Sequence, residues 1–152
     1  ILHNGHWEET AEDSTETRGF FIEDDGGFQK PMEYWIGAMV FTPDAKMLIT
    51  GSRDNTIRFF EMPTMNELRV VRGHNGWVRS LVVSPDGKVL ISAGDDSTIR
   101  FWDIATGRNF RTDKTHGGAV RGIALSPDGL RLASASWDRT VKLWEGGVEP
   151  AE

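Results

Sequence analysis

The chain has 152 residues, which is one domain's worth of sequence, and 38% of them are hydrophobic, enough for a globular core. It has no cysteine, which excludes disulfides, thiolate metal sites and cysteine nucleophiles, and it has no apolar run of about 18 residues that would predict a membrane span. The net charge of −6 lies within residues 1–30, and the neutral remainder argues against nucleic-acid binding, which needs a dense cationic surface.

Residues 1–30 form an acidic N-terminal segment with eight acidic and two basic side chains, and this composition predicts a solvated linker or tail. Residues 18–23 (Arg-Gly-Phe-Phe-Ile-Glu) favour one degenerate strand. His3 and His6 precede two glutamates, but their spacing is too loose to predict a metal site. Because the sequence begins at Ile1 without a signal-like stretch, we expect it to be a piece of a longer protein.

Two landmarks recur every 42 residues after this segment. The first is a turn of the form Thr/Ser-Pro-Asp, with its prolines at Pro43, Pro85 and Pro127. The second is an acidic residue followed by a β-branched and aromatic run, beginning at Asp54, Asp96 and Asp138. A period of about 40–45 residues is typical of propeller blades. The register divides residues 31–152 into repeats at about 31–72, 73–114 and 115–145.

Each repeat predicts a four-stranded antiparallel unit. In the second repeat, residues 78–83, 88–93 and 98–103 are rich in β-branched or apolar residues and are separated by turn residues. Residues 108–114 predict a fourth, more polar strand, as suits an outer edge. The inner strands are apolar on both faces, as strands packed between sheets must be. No 3.6-residue periodicity appears, so we expect almost no helix. The third repeat ends before a fourth strand is evident.

The repeats resemble the WD-repeat (WD40) family. Gly73–His74 and Trp102–Asp103 match its repeat ends in the second repeat, and Thr115–His116 and Trp144–Glu145 in the third; the first repeat departs from the pattern with Pro31–Met32 and Phe60–Glu61. The resemblance implies an all-β β-propeller with about three four-stranded blades in this chain. Propellers have about four to eight blades. Closure therefore requires further blades from the same protein or another chain, or a contribution from the N-terminal segment.

The resemblance also implies a structural tetrad in two repeats, a hydrogen-bonded chain in which a buried Trp donates to Ser, Ser to His, and His is held by Asp. Its members would be His74, Ser92, Asp96, Trp102, His116, Ser134, Asp138 and Trp144. The first repeat offers Thr50 and Asp54 but no His or Trp, so the chain should be absent there. Ala45 replaces a turn glycine of the sister repeats, which puts the same turn geometry in doubt.

The recurrence of this set argues against a catalytic triad, which occurs once and has no use for a terminal Trp. We therefore predict no catalytic residues, no metal site and no cofactor. In the family, residues at the start of the innermost strand and just before the tetrad Asp point to the top face around the central channel. The resemblance thus implies partner-binding residues, which would be Trp35, Arg53, Trp77, Arg79, Asp95, Arg121 and Trp137, since Trp and Arg dominate interface hot spots.

Three functions fit these patterns. The first is a non-enzymatic scaffold for protein–protein interaction that binds peptides on a propeller face, with a ligand that carries Asp, Glu or phosphate. The second is a C-terminal sensor or regulatory propeller segment of a larger multidomain receptor or NTPase. The third is a self-assembling or glycan-binding propeller. The absence of cysteine fits the reducing cytoplasm or nucleus.

Overall fold

The computed structural model describes residues 2–3, 6–7 and 34–147. Two short strands near the N-terminus, β1 (Leu2–His3) and β2 (His6–Trp7), pair antiparallel. The acidic run and the strand predicted at residues 18–23 lie outside the described residues.

Three antiparallel sheets follow, each a consecutive meander of strands with the first strand at one edge. The first sheet, blade 1, contains β3 (Ile36–Phe41), β4 (Met47–Ser52), β5 (Ile57–Glu61) and β6 (Glu67–Val71). Blade 2 contains β7 (Val78–Val83), β8 (Val89–Gly94), β9 (Ile99–Asp103) and β10 (Asn109–Asp113). Blade 3 contains β11 (Val120–Leu125), β12 (Arg131–Ser136) and β13 (Val141–Glu145). The described residues contain no helix, and the all-β expectation is confirmed.

The hydrophobic core lies between neighbouring blades. Ile57 and Phe59 of β5 are buried against the inner strands of blade 2. Ile99 and Phe101 stand 42 residues later, on β9, and are buried in the same way against blade 3. Strand β8 is buried along its whole length because it has a blade on each side. This explains why the sequence of β8 is apolar without strict alternation.

Among the described residues, the outer face of blade 3 is open, whereas the outer face of blade 1 is open only along β3, since Leu48 and Phe60 on β4 and β5 are buried. Met39 and Leu81 occupy the same register position, but Met39 is 65% exposed whereas Leu81, covered by blade 1, is 7% exposed. At the other end, Leu143 is 63% exposed whereas its equivalent Phe101, covered by blade 3, is 3% exposed. Each open face therefore has the residue pattern that a neighbouring blade covers elsewhere in the chain.

The Pro-containing turns have the same geometry in all three blades, including the first, where the sequence put it in doubt. Ala45 adopts φ 58°, close to the 73° of Gly87 and the 74° of Gly129. The Ala45 N–H donates to the Thr42 carbonyl at 2.8 Å, the same bond that closes the turn at Gly87. The shared turn thus imposes the left-handed conformation on a residue that has a Cβ, at a cost of about 1–2 kcal/mol.

Candidate interaction surface

Blade 2 contains a buried chain of hydrogen bonds. The Trp102 indole Nε1–H donates to Ser92 Oγ at 2.8 Å, and the Ser92 hydroxyl donates to His74 Nε2 at 2.7 Å. His74 Nδ1 lies 2.9 Å from the Asp96 carboxylate. Because a carboxylate only accepts, Nδ1 carries the ring proton and Nε2 is left to accept from serine. Every member therefore has a partner, as buried polar groups require.

The Asp96 carboxylate ends this chain at the turn between β8 and β9. Burial alone would raise its pKa, but hydrogen bonds from His74, from the Asn75 N–H and from Thr98 outweigh burial. The pKa of Asp96 is therefore held well below its ordinary value. The carboxylate fixes the turn to the segment that precedes β7.

Blade 3 contains the same chain in a more open setting. His116 lies 2.7 Å from both Ser134 Oγ and Asp138 Oδ2, and Trp144 donates to Ser134 at 3.2 Å. Trp144 is only half-buried, although its ring packs against the core between blades 2 and 3. Hydrogen bonds from Thr140 and His116 lower the pKa of Asp138.

Blade 1 stabilises the turn between β4 and β5 with a different set of hydrogen bonds. The Thr50 hydroxyl, at the position of Ser92, is buried without a hydrogen-bond partner among the described residues. Asp54 accepts instead from Arg58 at 2.9 Å, from the Thr56 hydroxyl at 2.7 Å and from Ser52. Burial would raise the pKa of Asp54, but these bonds outweigh it and lower the pKa. Sequence reasoning missed Arg58, although its register equivalents Arg100 and Lys142 are also basic.

The tetrad turns bring a second set of side chains to one end of the blades. The same backbone hydrogen bond recurs in each blade. The residue before the tetrad aspartate (before Asp54 in blade 1) donates its N–H to the carbonyl of the residue that precedes the inner strand. The three bonds are 2.9 Å long and join Arg53 to Trp35, Asp95 to Trp77, and Trp137 to Ala119. This repeated backbone pairing places the side chains of three blades at equivalent positions on one surface.

A β-bulge near the start of each inner strand adds the remaining side chains. The strand register shifts between Ile36 and Ala38 on β3. Equivalent shifts on β7 and β11 leave Arg79 and Arg121 without an opposing residue on the neighbouring strand. A bulge re-aims the extra residue's side chain. The bulged residue of blade 1 is Gly37, where an added Cβ would lie 2.4 Å from the Trp77 Nε1 atom, so glycine leaves room for that indole.

All seven residues predicted for partner binding lie in one continuous run of contacts, which we call the Trp/Arg row. Trp35 and Trp77 meet edge to face with ring centroids 6.3 Å apart. The Arg79 guanidinium lies 3.5 Å from the centroid of the Trp77 ring and pairs with Asp95 through two bonds of 2.9 and 2.7 Å. The remaining contacts join Arg53 to Trp35 and Trp77, Arg121 to Asp95, and Arg121 to Trp137.

The row combines exposed apolar surface with charge. Trp35 and Trp137 at its two ends are 67% and 68% exposed. Hydrogen bonds and charge from Arg79, followed by the charge of Arg121, hold the pKa of Asp95 below its ordinary value despite partial burial. Asp95 therefore joins blades 2 and 3 across their boundary as a carboxylate between two guanidinium groups.

The family described as "WD domain, G-beta repeat" (WD40) matches residues 30–61, 65–103 and 107–145. The chain belongs to the WD40 family. Its structure is similar to one titled "Structure of U3-55K", with 28% sequence identity and a TM-score of 0.71 over 74% of this chain and 36% of that chain. It is equally similar to "Crystal structure of RRP9 WD40 repeats", with 29% identity, a TM-score of 0.71 and the same two coverages. This WD40 chain thus spans 36% of the length of these solved structures.

WD40 propellers generally serve as non-enzymatic scaffolds for protein interaction. Within residues 34–147, no three His, Asp or Glu side chains come close enough together to hold a metal ion. No helix in the described part of the chain is long and apolar enough to cross a membrane.

Proposed function

We propose that this WD40 chain is a non-enzymatic scaffold that binds a peptide or protein loop through the Trp/Arg row. The observation that carries the proposal is the continuity of the row: side chains of three blades touch one another in sequence along one end of the structure. Neither the inter-blade core nor the tetrads include the exposed indoles of Trp35 and Trp137. Large aromatic side chains beside arginine are typical of interface hot spots.

The chemistry of the row favours a protein ligand. Exposed indoles offer apolar area for an anchor side chain, and the guanidinium groups offer paired donors for an acidic group. The repeat region is neutral, with 15 acidic and 15 basic side chains beyond residue 30, and this does not favour the many phosphates of a nucleic acid. The ligand that fits is a peptide or loop with an apolar residue beside Asp, Glu or phosphate.

The open faces of blades 1 and 3 support a second kind of partner, namely further blades from the same protein or from another chain. Met39 and Leu143 occupy positions that a neighbouring blade covers elsewhere, and exposed apolar surface of this kind marks a missing partner. This observation also favours the self-assembling alternative. A regulatory segment of a larger receptor or NTPase is compatible with the 36% coverage of the similar structures. We propose that the protein lies in the cytoplasm or nucleus. The boundary at residue 30 between the acidic segment and the repeats stays a prediction.

A capture experiment with two matched variants tests the proposal. Trp35→Ala and Trp137→Ala each remove an exposed row indole, and Leu68→Ala removes an exposed apolar side chain from the outer strand β6, away from the row. Proteins retained from a cell extract by each immobilised variant are identified and quantified by mass spectrometry. A specific partner should be lost from both Trp variants and kept by Leu68→Ala. Retention by both Trp variants, combined with loss on deletion of residues 1–30, would assign recognition to the acidic segment instead.

A further inference from the structure

The three arginines of the Trp/Arg row differ in their electrostatic partners. Arg79 donates to both oxygens of Asp95, and Arg121 donates to one of them at 3.1 Å. These two guanidinium groups therefore share one carboxylate. The Arg53 guanidinium makes no ion pair and no side-chain hydrogen bond within residues 34–147.

Arg53 is nevertheless held in place by its surroundings. Its guanidinium carbon lies 5.2 Å from the centroid of the Trp35 ring and 5.7 Å from that of Trp77, so two indoles flank it. Its backbone N–H donates to the Trp35 carbonyl at 2.9 Å. Contacts with ring faces occupy a guanidinium without using its N–H donors, and those donors remain available to an acceptor.

A ligand anion would meet different costs at the three arginines. At Arg79 or Arg121 it would have to displace the Asp95 carboxylate or lie beside it, and two adjacent carboxylates repel each other. At Arg53 no carboxylate of residues 34–147 has to move. The adjacent Trp35 ring is two-thirds exposed and can cover an apolar side chain of the same ligand.

We propose that Arg53 is the anion-binding residue of the Trp/Arg row and that it pairs with an oxyanion on a peptide, beside an apolar or aromatic residue that packs on Trp35. The Arg79–Asp95–Arg121 cluster then has a different role, which is to join blades 2 and 3 and position the centre of the row. This assignment rests on the proposed function of the row. The oxyanion has two possible sources, the carboxylate of Glu or Asp and the phosphate of a phosphorylated residue.

Fluorescence anisotropy with labelled synthetic peptides tests the assignment. The peptides carry one aromatic residue followed by Glu, phosphoserine or Gln, which separates the two oxyanion sources from a neutral isostere. The protein variants are Arg53→Gln, Arg121→Gln and Arg108→Gln. Arg108 is an exposed arginine in the turn between β9 and β10, at the opposite end of blade 2 from the row, so its substitution removes the same charge elsewhere.

Arg53→Gln should weaken binding of the preferred acidic peptide by about tenfold or more, a loss of about 1.4 kcal/mol, and should abolish its advantage over the Gln peptide. Arg108→Gln should leave both affinities unchanged. A Glu peptide that binds as tightly as the phosphoserine peptide identifies a carboxylate ligand, and a clear preference for phosphoserine identifies phosphate.

Two results would overturn the assignment. If Arg121→Gln weakens binding of the acidic peptide and Arg53→Gln does not, the Asp95 cluster is the anion site and the row still binds peptide. If the peptides bind but neither Arg53→Gln nor Trp35→Ala changes their affinity, ligands bind away from the row, and the proposed function fails together with the assignment.

Discussion

Replacement of Trp102 by phenylalanine should destabilise the protein more than any comparable change at the equivalent position of blade 1. Trp102 is 2% exposed, and a Cβ added at Gly73 would lie only 2.9 Å from the edge of its ring, so the indole fills its site tightly. The substitution removes the 2.8 Å bond to Ser92, worth about 1 kcal/mol for a buried pair. It also removes buried ring area worth about 1 kcal/mol. The free energy of unfolding should fall by about 2 kcal/mol.

The matched change is Phe60→Leu, at the register position of Trp102 in blade 1. It shortens a buried apolar side chain without breaking a Trp–Ser hydrogen bond, so its cost should be about 1 kcal/mol. Trp144→Phe should also cost about 1 kcal/mol, because the blade 3 indole is half-buried and its bond is 3.2 Å long. Urea unfolding followed by far-ultraviolet circular dichroism measures all three. Equal losses for Trp102→Phe and Phe60→Leu would refute a stabilising tetrad.

Three further changes test other features of the structure. Ala45→Gly should raise the free energy of unfolding by about 1 kcal/mol in urea denaturation, because glycine adopts the left-handed turn without strain; a lower stability would show that the turn is not strained. The pKa of Asp96 is lower in the folded than in the unfolded chain, so its stabilising contribution is complete above about pH 4 and is lost as the pH falls further. Asp96→Asn should therefore flatten the acid side of the stability–pH curve, and an unchanged acid side would contradict this coupling. The wild-type chain should associate in sedimentation velocity, and Leu143→Glu or Met39→Glu should reduce that association; a wild-type chain that sediments as a monomer at every concentration would show that the open faces need no partner.

The strands were predictable because the repeat supplies the same apolar runs and turn residues three times. The strand predicted at 78–83 is β7 as observed, the strand predicted at 88–93 is displaced by one residue from β8, and the strand predicted at 98–103 begins one residue before β9. Within residues 34–147 blade 3 has three strands, and the sequence predicted no fourth one there, since no apolar or β-branched run follows Glu145. Local composition determines these features, and they need no knowledge of the neighbouring blades.

Features that depend on tertiary placement were not predictable in the same way. The bulges that re-aim Arg79 and Arg121 have no local signal, because a bulge is a property of the pairing between two strands. The turn at Ala45 showed that a shared turn overrides the preference of one residue. Arg58 and Asp54 form the hydrogen bond that takes the place of the tetrad in blade 1, and only the side-chain geometry of that blade could identify it.

The seven residues predicted for partner binding show the same contrast between features set by local sequence and features set by tertiary placement. The repeat register was enough to bring its seven residues to one end of the blades, because equivalent positions in stacked blades are neighbours. It could not show how Asp95 is shared between arginines of two blades, nor that Arg53 has no carboxylate partner in the described part of the chain. That asymmetry comes from distances across the blade boundary, and it changes which arginine is expected to meet a ligand.

Two-dimensional NMR of the indole N–H signals of the six tryptophans, recorded while a binding partner is added, tests whether the Trp/Arg row is the interaction surface. Trp102 and Trp144 belong to the tetrads and serve as internal references. We expect the signals of Trp35, Trp77 and Trp137 to shift or broaden while those of the tetrad indoles stay unchanged. A bound partner that leaves the three row signals unchanged would contradict the assignment of the Trp/Arg row as the interaction surface.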